Sequence, residues 1–356
     1  MNYTQEEINL ITLCSFDKLL YSHRFALLSD LSSATPDFVK YEKSLIKSLS
    51  YGVYNKVRAE FSDPDYRKYV LSELEKRGIS CLTYFSDEYP EKLKATPTPP
   101  MVLYLKGNVE LLNNDCLAVV GSRRTLPNML KECRKTSAEL TQYFTVVTGM
   151  ADGADTAAIE GALSSGKIIS VLAYGFDYAY PAMNKQLIEK VAQKGLLVTE
   201  YTPTTKPQKH LFPIRNRIIA ALSDGALIVS AGAKSGALIT AGYAAEYGRE
   251  VFAFPYGIGV GTGEGCNWLI RNYGTLVRNT ADILEQFGLQ ASPQKKIELS
   301  PEEEEVLAAI RGLGTGSVTE LADKLKTQPY KLIPAISKLE IKGLVARLGG
   351  NRYNAI

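Results

Sequence analysis

Between residues 110 and 288 the chain alternates short, almost purely apolar runs with longer amphipathic ones. The apolar runs are "CLAVVG", "YFTVVTG", "KIISVLAYG", "GLLVTEY", "GALIVS" and "EVFAFP". Between them lie "LPNMLKECRKTSAELTQ", "GADTAAIEGALSSG", "MNKQLIEKVAQKG", "IRNRIIAALS" and "SGALITAGYAAEYGR", each with helical spacing of its apolar residues. Short continuous apolar strands alternating with helices require a parallel sheet covered on both faces. The expectation is an α/β fold: an extended Rossmann-like, doubly wound, mostly parallel sheet over residues 76–288. Ligands of such sheets sit at the carboxyl ends of the strands, near the point where strand order reverses.

The flanks read differently, and 356 residues are too many for one core. Residues 1–75 carry Leu and Ile at three- and four-residue intervals, as in "EEINLITLCSFDKLLYSHRFALLSDL". They predict a small helical module, SAM-like or helix-hairpin-helix-like, although no glycine hairpin marks the latter. "GISCLTYFSDEYPEKLKATPTPPMVLYLKGN" has two β-rich runs and leads into the sheet. Residues 289–299 are a polar linker. Residues 300–356 read as three helices followed by a hairpin around Gly349-Gly350-Asn351, the pattern of a winged helix.

Composition excludes several classes. The formal net charge is only +3, so nucleic-acid binding needs basic residues gathered locally. The five cysteines have neither zinc-ligand nor redox spacing, and only two histidines exist. The first residues are acidic where a signal peptide is basic, and no apolar run nears the ~18 residues of a membrane span. A soluble cytoplasmic protein is expected.

The first apolar run ends in "VVGSRR", and Pro127 then opens a helix. A strand that turns through glycine into a helix offers backbone amides to an anion, and Arg123 adds charge. The glycine spacing fits neither a dinucleotide fingerprint nor a Walker A loop, which disfavours NAD and ATP. An ordinary β–α turn with surface arginines fits the motif equally well. Three more strand-end loops add weight: "TGMADGAD"; "KHLFPIRNR", with Lys209, Phe212, Arg215, Asn216 and Arg217; and "AKSG", with Lys234, Ser235 and Gly236 before a helix. Converging loops of Arg, Lys, Ser and Gly with one aromatic suit a phosphodiester strand with a base stacked on Phe212. Core packing is the competing reading for Phe212. Arg215 and Arg217 also suit a structural role, and at least one of them is expected to pair with Asp152, Asp155 or Glu200. No catalytic or metal-binding constellation is apparent, so the chemistry reads as binding without a cofactor.

These segments, with "FPIRNRIIAALSDGALIV", "SGALITAGYAAEYGREVFAFP" and "GCNWLI" in the same order, closely resemble the DNA-processing protein A family (DprA, also called Smf). The resemblance covers nearly the whole chain. It implies a non-catalytic cytoplasmic protein that binds single-stranded DNA, protects incoming strands in natural transformation and loads the RecA recombinase. It also implies a homodimer formed through the Rossmann-like domain. The family's Gly-Ser-Arg loop falls on Gly121, Ser122 and Arg123, its phosphate-gripping lysine on Lys209 and its stacking phenylalanine on Phe212. Lys234 to Gly236 matches a later loop of the same pocket. The chain departs from the family at Asp152, Ile159 and Ser230, where arginine, histidine and glutamate are common.

Two alternatives stand beside this reading. A nucleotide phosphoribohydrolase-like enzyme on a related sheet would use Glu246, but "SAGAKSGALITAGYAAE" lacks the double glycine of such enzymes. A duplex-reading regulator would use the winged tail, whose eight Lys and Arg are offset by seven Asp and Glu. That balance favours protein docking over duplex DNA.

Overall fold

All six apolar runs become strands. The computed structural model describes residues 3–17, 19, 21–28, 36–290 and 299–355. The runs form β3 (Cys116–Gly121), β4 (Thr145–Thr148), β5 (Ile168–Val171), β6 (Leu196–Thr199), β7 (Gly225–Ser230) and β8 (Glu250–Ala253). The lead-in supplies β1 (Ser80–Thr83) and β2 (Val102–Gly107), and a two-residue strand, β9 (Thr275–Leu276), closes the far edge. The nine strands lie in the order β1-β2-β6-β5-β4-β3-β7-β8-β9. Pairing is parallel from β6 through β9 and antiparallel at β1–β2 and β2–β6.

Alternate residues of β3 point into two separate cores. Cys116, Ala118 and Val120 pack with helices Leu211–Leu222 and Ala237–Glu246. Leu117 and Val119 pack with helices Pro127–Leu140 and Ala154–Ala162. Both faces are therefore dry, which explains the continuous apolar character of each strand. The order reverses at β3, which has β4 on one side and β7 on the other. Register slips between Val120 and Gly121, so the β3–β7 ladder is irregular at its carboxyl end. Such a break redirects the chain where a ligand site is built. The opposite end of this pair is pinned by Asp224. Its carboxylate accepts from the Cys116 amide at 3.0 Å and from Lys92 Nζ at 2.5 Å.

Among the described residues before the sheet lie five helices: Gln5–Cys14, Tyr21–Leu28, Glu42–Leu49, Tyr51–Ser62 and Pro64–Lys76. They do not close a core of their own. Leu10, Leu13, Tyr54 and Leu74 pack with Cys81, Val102 and Tyr104 of the first two strands. Residues up to Leu289 accordingly form one compact unit, where a separate module over 1–75 was expected. The packing also shields the free edge of β1: the Cys81 amide donates to Tyr3 Oη at 3.0 Å and the Thr83 amide to Ser86 Oγ at 2.8 Å. Capped edges of this kind do not recruit foreign strands.

The expected linker falls mainly on 291–298, outside the described residues. The second unit has helices Pro301–Leu313, Val318–Lys324 and Pro329–Ile341, with strands Thr315–Ser317 (β10), Val345–Leu348 (β11) and Arg352–Ala355 (β12) in the order β10-β12-β11. Its own core centres on Ile310, Leu321, Ile336 and Leu339. Ser300 and Glu303 form a capping box, and Glu303 also accepts from Lys342 Nζ at 2.7 Å. The Lys342 and Ser300 hydrogen bonds hold the Glu303 carboxyl below the usual carboxylate range. Stability from this contact is therefore present above the ordinary carboxylate pKa and lost as pH falls through the lowered value. Ser300→Ala should destabilise this unit by about 1 kcal/mol. In thermal melts, Glu303→Gln should flatten the unit's acid sensitivity.

Candidate nucleic-acid interface

The carboxyl ends of β3 and β7 are tied together by the Ser122 amide, which donates to the Ser230 carbonyl at 2.8 Å. The following turn is held from within. Arg124 N donates to Ser122 Oγ at 3.1 Å, and Thr125 Oγ1 donates to the Ser122 carbonyl at 2.7 Å. Gly153 lies beneath it with φ +81°, where a Cβ would sit 2.6 Å from the Ser122 carbonyl oxygen and 2.8 Å from that of Arg123. Only glycine fits there, on both conformational and steric grounds. The Gly-Ser-Arg-Arg loop is thus shaped by its surroundings and leaves Arg123 and Arg124 exposed.

Beside the loop is a cavity of about 410 Å³. It is lined by Gly121, Ser122, Arg123, Phe212, Arg215, Asn216, Ser235 and Gly236, eight of the residues expected at the site. Asn216 Nδ2 donates to the Gly236 carbonyl at 3.3 Å, joining the middle of helix Leu211–Leu222 to the start of helix Ala237–Glu246. Ser235 Oγ accepts from Ala237 N at 3.3 Å, at the amino end of helix Ala237–Glu246. Positive helix ends and exposed guanidinium groups make the mouth attractive to anions.

Three expected residues are placed elsewhere. Lys209 and Lys234 are exposed and do not line the cavity. Arg217 is turned inward to Glu200, with side chains only 9% and 13% exposed. Arg215 does reach the cavity but is buried in its floor, donating to the Val171 carbonyl and lying beside Asp155. Burial raises the Asp155 carboxyl, and the Arg215 charge opposes that rise. Burial lowers the Arg215 guanidinium, with Asp155 opposing in turn. Gly149 makes room for the two, since a Cβ there would lie 2.3 Å from Asp155 Oδ2 and 2.7 Å from Arg215 Nη2. The charge of Arg215 is therefore largely spent on the floor, and the exposed cations of the mouth are Arg123 and Arg124.

Phe212 is half-buried at the start of helix Leu211–Leu222, packed on the core by one side. Its other contacts are Tyr180, with ring centroids 5.4 Å apart, and the Arg123 guanidinium, 5.5 Å from its ring. Tyr180 was not singled out from the sequence. The residues at the three departures do not enlarge the charge of the cavity. Asp152 Oδ1 accepts from Gly153 N, Ile159 is fully buried, and Ser230 Oγ donates to the Thr262 carbonyl at 3.0 Å. No group of His, Cys, Asp and Glu among the described residues is arranged to hold a metal. No described helix is long and apolar enough to cross a membrane.

A family model described as DNA recombination-mediator protein A matches residues 80–288, from β1 to the end of the first unit. The chain belongs to the DNA recombination-mediator protein A family. DNA processing protein DprA of Streptococcus pneumoniae is 41% identical over 202 residues, covering 56% of this chain and 72% of that protein. Protein Smf of Escherichia coli is 35% identical over 278 residues, 74% of each chain. The S. pneumoniae DprA crystal structure superposes with a TM-score of 0.61 at 31% identity, covering 80% of this chain and 99% of that one. DprA of Helicobacter pylori, solved in work on its single-stranded DNA binding mode, gives 0.54 at 29% identity over 59% of this chain and 95% of that one. The matched span of the family model contains every residue lining the cavity.

Proposed function

We propose that this protein binds single-stranded DNA at the cavity, without catalysis or cofactor, and hands the strand to RecA. The observation that carries the reading is the cavity at the reversal of strand order. Its lining includes Gly121, Ser122, exposed Arg123 and half-buried Phe212. An exposed arginine suits phosphate, and an accessible ring suits a base of any identity. A duplex keeps its bases stacked and offers none to Phe212. Lys209 and Lys234, exposed nearby in sequence, extend the positive track for the neighbouring phosphates. The relation to H. pylori DprA supports the same ligand.

A homodimer joined through the Rossmann-like unit fits the exposed, ring-to-ring pair Trp268 and Tyr273 and the exposed Leu276 of the short edge strand β9. Cytoplasmic residence suits five buried, unpaired thiols. The N-terminal helices serve as a SAM-like element fused to β1 and β2, and the C-terminal unit as a winged helix with a docking role. The hydrolase alternative is disfavoured by position. Glu246 ends helix Ala237–Glu246, about 14 Å along the axis from the end that meets the cavity.

The deciding experiment is fluorescence anisotropy with oligo-dT and with duplex of equal length, followed by RecA filament formation on the bound strand. Preference for duplex, or release of free base from nucleoside monophosphates, would overturn the proposal. Deletion of residues 300–356 should leave oligo-dT affinity within a few-fold. Arg123→Ala should lower the slope of log affinity against log salt by about 0.7 if the side chain meets one phosphate. An unchanged slope would remove Arg123 from the DNA contact.

A further inference from the structure

We propose that Tyr180 and Phe212 together form an open two-ring seat for one DNA base, which the Arg123 guanidinium occupies in the free protein. This rests on the single-stranded DNA reading and adds to it a second aromatic wall and an exchange of partners. The two rings are tilted by 54° with centroids 5.4 Å apart. They touch, so no base passes between them. Instead each ring has the Arg123 guanidinium over it, 5.5 Å from the Phe212 centroid and 6.0 Å from that of Tyr180.

The placement of Tyr180 does not come from core packing. It is 39% exposed, large for an aromatic side chain in a rigid part of the fold. Its backbone is held on both sides by one buried hydroxyl: Tyr174 Oη donates to the Tyr180 carbonyl at 2.7 Å and accepts from its amide at 3.2 Å. Tyr174 also packs edge-on against the Tyr180 ring. A ring fixed by its neighbours and left open on one side binds a planar ligand with little ordering cost.

A guanidinium over exposed rings is held more weakly than a stacked base, and Arg123 is needed by the adjacent phosphate. When a strand enters, the base takes the seat and Arg123 turns to the backbone. One side chain thus covers the rings when DNA is absent and holds phosphate when it is present.

The test uses the full chain, oligo-dT and an abasic oligomer of the same length. Tyr180→Leu keeps the bulk and removes the ring. It should weaken oligo-dT binding by about 5–50-fold, within the range for one lost stacking partner, and leave abasic binding unchanged. Tyr180→Phe should bind both like the wild type. Equal weakening of both oligomers, or of neither, would overturn the seat. The chain has one tryptophan, so Tyr180→Trp in a Trp268→Phe background gives a reporter at the seat that does not depend on affinity. Quenching by oligo-dT and not by the abasic strand is expected, and its absence counts against the proposal. Failure of the wild type to bind oligo-dT would sink the functional reading itself. Wild-type binding with a silent reporter would sink only the seat.

Discussion

Arg215→Ala should lower stability by about 3–5 kcal/mol, the usual cost of stranding one member of a buried charge pair. Arg215 is 4% exposed and Asp155 6%, so water does not replace the lost partner. The loss should depend on pH with a defined sign. Burial already raises the Asp155 carboxyl, and removing the opposing guanidinium raises it further. A carboxyl with a raised folded-state pKa is best tolerated protonated, below its unfolded value, and loses that stability as pH rises through the raised one. Thermal melts of Arg215→Ala should therefore fall short of wild type most at neutral pH and recover as pH drops toward the carboxylate range. Combining Arg215→Met with Asp155→Leu should restore much of the stability, because neither charge is then left alone. Equal losses at every pH would show that Arg215 acts through packing instead. This variant needs a folding check before any DNA measurement, because it alters the floor of the cavity together with its charge.

Phe212→Ala should cost about 1–3 kcal/mol in oligo-dT affinity, roughly 5- to 150-fold in Kd. Because the ring is only half-buried, its removal should cost less stability than the ~3–5 kcal/mol of a full core phenylalanine. Binding and stability therefore separate. A large drop in melting temperature with intact affinity would assign Phe212 to the core. Oligo-dT titration alongside a melt distinguishes the two. The contribution of the ring is independent of base identity, so oligo-dA and oligo-dC should lose similar factors.

The sheet was legible because parallel strands covered on both faces have nowhere to put polar residues. "CLAVVG" and "GALIVS" carry that constraint in their composition. β9 carried no such signal: Thr275 and Leu276 lie at an edge, one strand neighbour instead of two. The fusion of the N-terminal helices with β1 and β2 was equally hidden. Periodicity says that Leu10, Leu13 and Tyr54 face something apolar, but not that the something includes Tyr104. At the site, loops at strand ends could be assembled from sequence because topology sends them to one edge. Charge fate could not. Arg215 and Arg217 are two positions apart on one helix, so they leave it on nearly opposite sides, about 160° apart. One donates to the Val171 carbonyl with Asp155 as its nearby opposite charge, and the other pairs with Glu200. Tyr180 was missed because its segment, "VLAYGFDYAYPAMNKQL", resembles the family without marking any one tyrosine for a ligand, and only tertiary placement brings it to Phe212 and Arg123.

The β3–β7 pair is fastened at both ends, by Asp224 and Lys92 at one and by the Ser122–Ser230 bond at the other. Two fastenings hold the spine beneath the mouth despite the slipped register there. On the proposed reading the partner is a single strand with many soft torsions, and it does the adapting. Much of the ordering on association then falls on the nucleic acid, so a chain stiffened by self-pairing should meet this protein slowly while a slack one seats at once.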